Sequence, residues 1–109
     1  MQYMLLITDD GSGPPEAAAV EAWRREVEAR GVKRRGERLR PGDQARTVRV
    51  RRSGVQVDAG PAAPAFAALV AYEIVDCADL DEVIELAAAH PAAAGHRVEI
   101  RPFWEEDAR

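Results

Sequence analysis

A chain of 109 residues with a net charge of −4 is long enough for one domain and too short for two. Apolar residues make up 47% of it, which suffices for an ordered core without disulfides or metal ions. The single cysteine excludes an internal disulfide and favours a reducing compartment, and no apolar run approaches the ~20 residues that a membrane helix needs. We therefore expect a cytoplasmic protein without a membrane segment.

The first third of the chain predicts a strand, a helix and a second strand. Residues 2–8 are apolar on both faces of a strand, which is typical of a central strand that is covered twice. Residues 16–30 repeat apolar side chains at helical spacing, with Trp23 and Val27 on the inner face. A second strand is predicted at residues 33–39, before a Pro-Gly turn.

The middle of the chain predicts a hairpin followed by a buried strand. Residues 46–52 form a strand with alternating valines, and Ser53-Gly54 forms a tight turn into its partner strand. Residues 60–68, rich in proline and alanine, are either a loop or a short helical turn. Residues 69–76 form a strand that is apolar on both faces except for Glu73, which faces away from its sequence neighbours.

The last third predicts a helix and a final strand. Asp79 and Glu82 resemble a capping box at the start of the helix, which ends before Pro91. The residues that share its predicted inner face are Leu80, Val83, Ile84, Ala87 and Ala88. Residues 97–101 form the last strand, whose two apolar side chains face the helices, and residues 103–109 form a short acidic tail.

This order of elements predicts an α+β fold. It matches the ferredoxin-like βαββαβ arrangement with an inserted β-hairpin, formed as a single domain by residues 1–109. Two helices can cover only one face of the sheet, yet the strands at residues 2–8 and 69–76 are apolar on both faces. The same face of a second copy is the simplest cover for the other side, so we expect a homodimer.

Four segments carry a resemblance to a known family. They are Met1–Ile7, Gly36–Pro41 with Thr47–Arg49, Leu80–Val83, and Val98–Pro102. In this order and spacing the chain resembles the YCII-related domain family, in its DGPF subgroup. The resemblance implies a dimeric α+β barrel. It also implies a family of mostly unassigned function, with some members linked to small-molecule transformation and others encoded beside sigma factors.

The chain departs from this family at the signature. Where the family has Asp-Gly-Pro-Phe, residues 59–62 have Ala-Gly-Pro-Ala, and the polar stretch that follows is replaced by residues 64–67. Asp58 lies one residue away from the signature aspartate, and a shift of one residue on a strand places it on the opposite face. Residues that shape the backbone are kept and ionisable ones are lost, so we interpret the segment as evidence of fold.

The segment from Lys33 to Arg52 carries nine basic residues against two acids, so the rest of the chain is strongly acidic. Such an asymmetry can steer an anionic ligand or a nucleic acid. Arginines that alternate with valines more often form the solvated face of a strand, and this segment lacks interleaved aromatic residues. We therefore expect no nucleic-acid partner.

Acid–base chemistry is the best enzymatic option in the sequence. Glu73, on a predicted central strand, is either paired with an arginine or held protonated in a pocket, and we expect pairing with Arg49. Glu73 and Asp58 are the catalytic candidates. The residues predicted to bind a small-molecule ligand in the same cavity are Tyr3, Glu37, Arg49 and Tyr72.

Other chemistry finds little support. His90, His96 and Cys77 share no helical or turn spacing and do not form a set of metal ligands. We place His90 at the C-terminus of the second helix, His96 on a loop, and Cys77 as a structural thiol. Gly11-Ser12-Gly13 lacks the lysine and the spacing of a phosphate loop, so we predict neither a metal nor a cofactor.

Three functions remain open at this point. The first is a dimeric small-molecule-binding protein or a degenerate enzyme. The second is an active, cofactor-free isomerase- or lyase-like enzyme that uses Glu73, Asp58 or Tyr72 as an acid–base group. The third is a regulatory module that uses the fold only for contact with a protein partner. An enclosed polar cavity around a carboxylate favours the second function, and a filled apolar interior favours the third.

Overall fold

The computed structural model describes residues 1–11 and 13–105, and it confirms the α+β class. The strands are β1 (Gln2–Thr8), β2 (Arg34–Arg38), β3 (Arg46–Arg51), β4 (Gly54–Ala59), β5 (Leu69–Asp76) and β6 (Arg97–Pro102). The α-helices are α1 (Ala17–Ala29) and α2 (Leu80–Ala89), and short 3-10 turns lie at Gly42–Gln44, Pro64–Ala68 and Pro91–Ala93. Of the predicted acidic tail, residues 106–109 lie outside the described residues.

Four strands form an antiparallel sheet in the order β2-β5-β1-β6. β1 is central, as its apolar side chains predict. Because side chains alternate along a strand, Tyr3, Leu5 and Ile7 share one face. They are buried in a single core with residues of both helices, such as Trp23 and Val83. α1 lies on this face of the sheet, and the cavity described below lies between the two.

The helices begin and end where local signals predict. Asp79 Oδ1 accepts a hydrogen bond from Glu82 N at 2.9 Å, and Glu82 Oε1 accepts one from Ala78 N at 2.8 Å. These reciprocal bonds satisfy amide groups that the first turn of α2 leaves unpaired. Within the described residues, no helix has the length and apolarity that crossing a membrane requires.

The predicted inner face of α2 is partly wrong. Val83 and Ala87 are buried as expected, but Leu80 and Ile84 are about half exposed and Ala88 is exposed. Leu86 is buried in their place, and its carbonyl accepts a hydrogen bond from the Trp23 indole Nε1 at 2.9 Å. Apolar residues extend around most of α2, so contact with α1 selects the buried side.

The other face of the sheet has no helix against it in the part of the chain that the structure describes. Met4, Leu6 and Tyr72 are half-buried on this face, and Ile74 is buried among its strand neighbours. We call these four residues the open sheet face. Its apolar centre is the kind of surface that monomeric proteins rarely expose.

The β3–β4 hairpin forms a separate two-stranded sheet. Val48 pairs with Val57 and Val50 pairs with Val55, so all four valines lie on one side, which we call the valine face. They are 59–74% exposed. The opposite side carries Arg49 and Arg51, and both are exposed. An isolated two-stranded hairpin is only marginally stable. The valine face, like the open sheet face, has no cover among the described residues.

Gly60 closes the base of the hairpin. Its amide donates to Ala45 O at 2.8 Å, and its carbonyl accepts from the Thr47 hydroxyl at 2.8 Å. Its φ of +102° is a backbone conformation that side chains other than glycine rarely adopt. Gly60 therefore has a structural role here, as the sequence predicts.

Candidate functional site

A partly enclosed cavity of about 510 Å³ lies between α1, the ends of β1 and β5, and the 3-10 turns at Gly42–Gln44 and Pro64–Ala68. Much of its wall is apolar, with contributions from Val20, Leu39 and Val70. The polar side chains that line it are those of Asp9, Glu21, Arg24, Arg38, Glu73 and His90. An apolar pocket with a few convergent polar groups is the usual form of a small-molecule site.

Among the residues that the structure describes, Glu73 is the only buried carboxylate at this cavity, with 1% of its surface exposed. Its Oε2 accepts a hydrogen bond from Arg24 Nε at 2.8 Å, and its Oε1 accepts one from Arg34 Nε at 3.0 Å. Both arginines are themselves largely buried. Charge-assisted bonds to both oxygens offset the cost of removing the carboxylate from water. We call these three residues the buried triad.

A glycine on β2 makes room for this carboxylate. Gly36 lies directly opposite Glu73 in the β2–β5 pairing, on the same face of the sheet. A Cβ atom built on Gly36 would lie 2.6 Å from Glu73 Cδ and closer still to Glu73 Oε1 and to the Tyr72 carbonyl oxygen. No real Cβ atom tolerates such distances, so Gly36 sets where the triad can lie.

The arginines reach Glu73 from two different elements. Arg24 comes from α1, and Arg34 comes from the first residue of β2. Arg34 also contacts Glu28 at 3.2 Å, and Arg24 lies 3.5 Å from Glu21; both of these glutamates are more than half exposed. Exposed ion pairs of this kind contribute little to stability, so Glu73 is the partner that fixes both guanidinium groups.

His90 closes one side of the cavity as a neutral ring. Burial, followed by the nearby Arg24 charge, lowers its pKa to about 4. Its Nδ1 accepts a hydrogen bond from Ala92 N at 3.0 Å, so the neutral ring carries its proton on Nε2. The ring also packs edge-on against Trp23, with centroids 4.7 Å apart. His90 ends α2 through its backbone N–H, which donates to Ala87 O, while its neutral side chain caps the 3-10 turn at Pro91–Ala93 in place of the expected charge interaction with the α2 terminus.

A second polar cluster lies beside the cavity at the end of β1. His96 Nδ1 is 3.0 Å from Asp10 Oδ1 and 3.6 Å from Asp9 Oδ1. The ligand atoms of these three side chains lie within 4.8 Å of one another, a spacing that could hold a metal ion. Hydrogen bonds between Asp10 and the His96 ring are sufficient to explain the cluster. The sequence could not reveal it, because 86 residues separate Asp10 from His96.

Of the two catalytic candidates, the structure brings only Glu73 to the cavity. Its expected pairing with arginine is found, but the expected partner is wrong: Arg24 and Arg34 take the place of Arg49. Arg49 is exposed on the hairpin opposite Gln56. Asp58, also exposed on the hairpin, accepts hydrogen bonds from the Gln56 amide.

The remaining predicted ligand-binding residues are dispersed. Tyr3 is buried in the core beneath the helices, and burial raises the pKa of its phenol. Glu37 and Tyr72 pair with each other across β2 and β5, and alternation places them on the open sheet face, away from the cavity. Alternation shows which side chains share a face of a strand, but it does not show which face the helices cover. The sequence therefore could not show that Glu37 and Tyr72 lie away from the cavity.

Cys77 has the environment of a structural thiol. It is buried in the core, and burial together with Glu82 raises its pKa to about 11. A thiol with so high a pKa is almost entirely protonated at neutral pH and is a poor nucleophile.

No protein-family model and no curated protein matches this chain. Function must therefore be argued from the geometry of the cavity and from the two uncovered apolar faces.

Proposed function

We propose that the protein is a homodimeric small-molecule-binding protein whose ligand occupies the cavity between α1 and β5. The observation that carries this proposal is the cavity itself. Its volume of about 510 Å³ falls within the range usual for ligand sites, and its largely apolar wall carries a few polar side chains. A well-packed core of this size leaves few voids larger than a water molecule.

An active acid–base enzyme has less support. Both Glu73 oxygens accept hydrogen bonds from guanidinium groups. This arrangement fits a carboxylate that holds two arginines in place more closely than it fits a general acid or base. Asp58 and Tyr72 lie on other surfaces. A regulatory module that acts only through contact with a partner does not explain the cavity. A binding protein or a degenerate enzyme accounts for both the cavity and the arginine-paired carboxylate.

The cavity is tested by filling it. Ala71→Phe places a large side chain at a half-buried position of the wall, and Ala22→Phe makes the same change at an exposed position on α1 outside the wall. A thermal-shift screen of small apolar compounds, followed by calorimetric titration of the hits, should find ligands of the wild type that Ala22→Phe binds equally and Ala71→Phe does not. Equal binding by Ala71→Phe would place the ligand elsewhere.

The homodimer is proposed from the two uncovered faces. The open sheet face and the valine face are both apolar, and neither is covered by another element among the described residues. In the proposed two-fold dimer the open sheet faces of two copies pack together, and each valine face extends the contact onto the partner. The strand order β2-β5-β1-β6 supports the ferredoxin-like arrangement on which a dimeric α+β barrel is built.

The valine face gives a direct test of the dimer. Val50 and Val55 pair across the hairpin, so the double variant Val50→Lys/Val55→Glu removes the apolar surface and keeps a favourable cross-strand pair. The variant replaces two of the four valines with charged residues and leaves Val48 and Val57 in place. We expect the wild type to sediment as a dimer and the variant to dissociate at least tenfold more readily. The matched control is Gln56→Glu on the opposite side of the hairpin. A monomeric wild type, or a variant as dimeric as the control, would refute this arrangement.

We also propose that the chain is a YCII-like protein of the cytoplasm. Support comes from the four sequence segments, the strand order, and Gly60 at the altered signature, with its positive φ. The buried, free Cys77 thiol is consistent with a reducing compartment.

A further inference from the structure

One aromatic side chain of the chain is almost fully exposed. Trp104 follows β6 and is 95% exposed, the highest value among the large apolar residues that the structure describes, whereas Trp23 is buried in the core. The next residues in the sequence are Glu105, Glu106 and Asp107. Tryptophan is enriched at the centres of protein interfaces, and adjoining acids favour a basic surface on the partner.

An open groove of about 630 Å³ at the base of the β3–β4 hairpin has the complementary character. Three of its apolar lining residues, Leu39, Val48 and Phe66, are 42–61% exposed. Its charged lining side chains are Arg40 and Arg46, and no acid lines it in the described part of the chain. We call it the hairpin groove. It is apolar and basic, as the segment around Trp104 is apolar and acidic.

The two arginines of the hairpin groove contact neutral groups. Arg40 Nη1 donates to Gln44 Oε1 at 3.4 Å, and Arg46 Nη1 donates to Ala45 O at 2.8 Å. Asp43, in the adjoining turn, is exposed and does not line the groove. Carboxylates of a docked segment would therefore find cations to pair with. Such pairs at the rim of a contact fix orientation more than they add affinity.

The same chain cannot place Trp104 in its own hairpin groove. Phe103 N donates to Gln2 O at 3.0 Å, which holds the start of the acidic tail at the edge where β1 begins. Gln2 pairs with Asp76, the last residue of β5, whereas Leu69, the first residue of β5, lines the groove. These two ends of β5 lie about 23 Å apart, at ~3.3 Å per residue. Trp104 directly follows Phe103, so only a second copy can bring it to the groove.

We propose that the acidic tail of one copy docks in the hairpin groove of a second copy, with Trp104 against Phe66 and the tail acids beside Arg40 and Arg46. This inference rests on the proposed homodimer and adds to it a contact that a two-fold axis makes reciprocal. Val48 belongs both to the groove and to the valine face, so this contact is continuous with the proposed interface. Trp104 is the anchor, because a buried indole contributes more than exposed ion pairs.

Mixed dimers detect the contact directly. In a mixture of isotope-labelled and unlabelled protein, filtered nuclear Overhauser spectra show only contacts between copies. We expect cross-peaks between the Trp104 indole of one copy and the Phe66 ring of the other. If such cross-peaks join the open sheet faces but none reaches from Trp104 to the groove, the docking is refuted while the homodimer stands.

Variants measure the coupling between the two aromatic residues. Trp104→Ala and Phe66→Ala should each raise the dimer dissociation constant about tenfold in analytical ultracentrifugation. The double variant should lose little more than either single variant, since both remove the same contact. The matched control is Leu80→Ala, which truncates an apolar residue of similar exposure on α2 and should leave the constant unchanged. Circular dichroism melts check that each variant is folded.

The arginines are tested by charge removal. The double variant Arg40→Gln/Arg46→Gln should weaken the dimer about threefold at low salt, and the difference should disappear at high salt because ions screen exposed charges. Arg25→Gln removes a charge from an exposed position of α1 and is the control. Equal dimerisation of the double variant and this control would refute the pairing of the arginines with the tail acids.

The remaining outcomes separate the docking from the dimer. If Trp104→Ala dimerises as tightly as Leu80→Ala, or if the losses of Trp104→Ala and Phe66→Ala add in full, the docking is refuted and the homodimer stands. If the wild type is monomeric at every concentration, both proposals fail.

Discussion

Replacing Glu73 with alanine should cost about 3–5 kcal/mol of unfolding free energy, because it leaves two largely buried guanidinium groups without their shared carboxylate. Glu73→Gln should cost less, since its amide oxygen still accepts one hydrogen bond. Urea unfolding followed by tryptophan fluorescence measures both. All variants should be compared at one protein concentration, because the stability of a dimer depends on it.

The matched control is Glu85→Gln, which removes an exposed carboxylate from α2, outside the triad and the proposed dimer contact. Its effect should stay within about 0.5 kcal/mol, as for most surface substitutions. A Glu73→Ala variant that loses less than about 1 kcal/mol would show that the triad does not anchor α1 and β2 to the sheet.

Gly36→Ala should be the second most damaging single change. The added methyl group would overlap the Glu73 carboxylate and the Tyr72 carbonyl, and one of these two is backbone and cannot rotate away. Overpacking alone costs about 1–3 kcal/mol, and displacing the carboxylate from its arginines adds to it. Urea unfolding again provides the measurement, with Gly95→Ala as the control, since a Cβ there meets nothing within 4 Å.

A double variant identifies the cause of the Gly36→Ala loss. In a Glu73→Ala background the same methyl group no longer meets the carboxylate, so Gly36→Ala should cost clearly less than it does in the wild type. Additive losses would mean that the clash lies with the backbone alone. Equal stability of Gly36→Ala and Gly95→Ala would contradict the close approach itself.

Local signals in the sequence predicted the elements well. The strand at Leu69–Asp76 has the predicted bounds, and Glu73 faces away from Tyr72 because side-chain direction follows from alternation alone. The capping box of α2 involves residues only three positions apart. The structural role of Gly60 depends only on its own positive φ. Each of these features depends on neighbours in the chain.

The partners in the site depend on distant residues. Arg24 is 49 residues from Glu73, and Arg34 is 39 residues away, so no local pattern selects them over Arg49. Arg34 was predicted as one cation of a solvated basic segment. The clue that could have distinguished it is Gly36 on the same face, a glycine within a strand, which often marks a close approach by another group.

The position of the cavity also could not be predicted from the sequence. It depends on where the turn at Pro64–Ala68 rests against the turn at Gly42–Gln44, with Asp9 N bonded to Ala68 O and Leu39 N bonded to Val70 O. The composition of residues 60–68 predicts only that they form either a loop or a short helical turn. Its alanines, which fill little volume, help leave the space beneath α1 open.

Above all, we propose that a small molecule occupies the cavity between α1 and β5. The most direct measurement is an amide NMR titration of the wild-type protein with the tightest-binding compound from the thermal-shift screen. We predict that the largest changes in chemical shift occur at cavity residues such as Val20, Arg24 and Ala71, with little change on the hairpin. Shift changes confined to the valine face or to the open sheet face would contradict it.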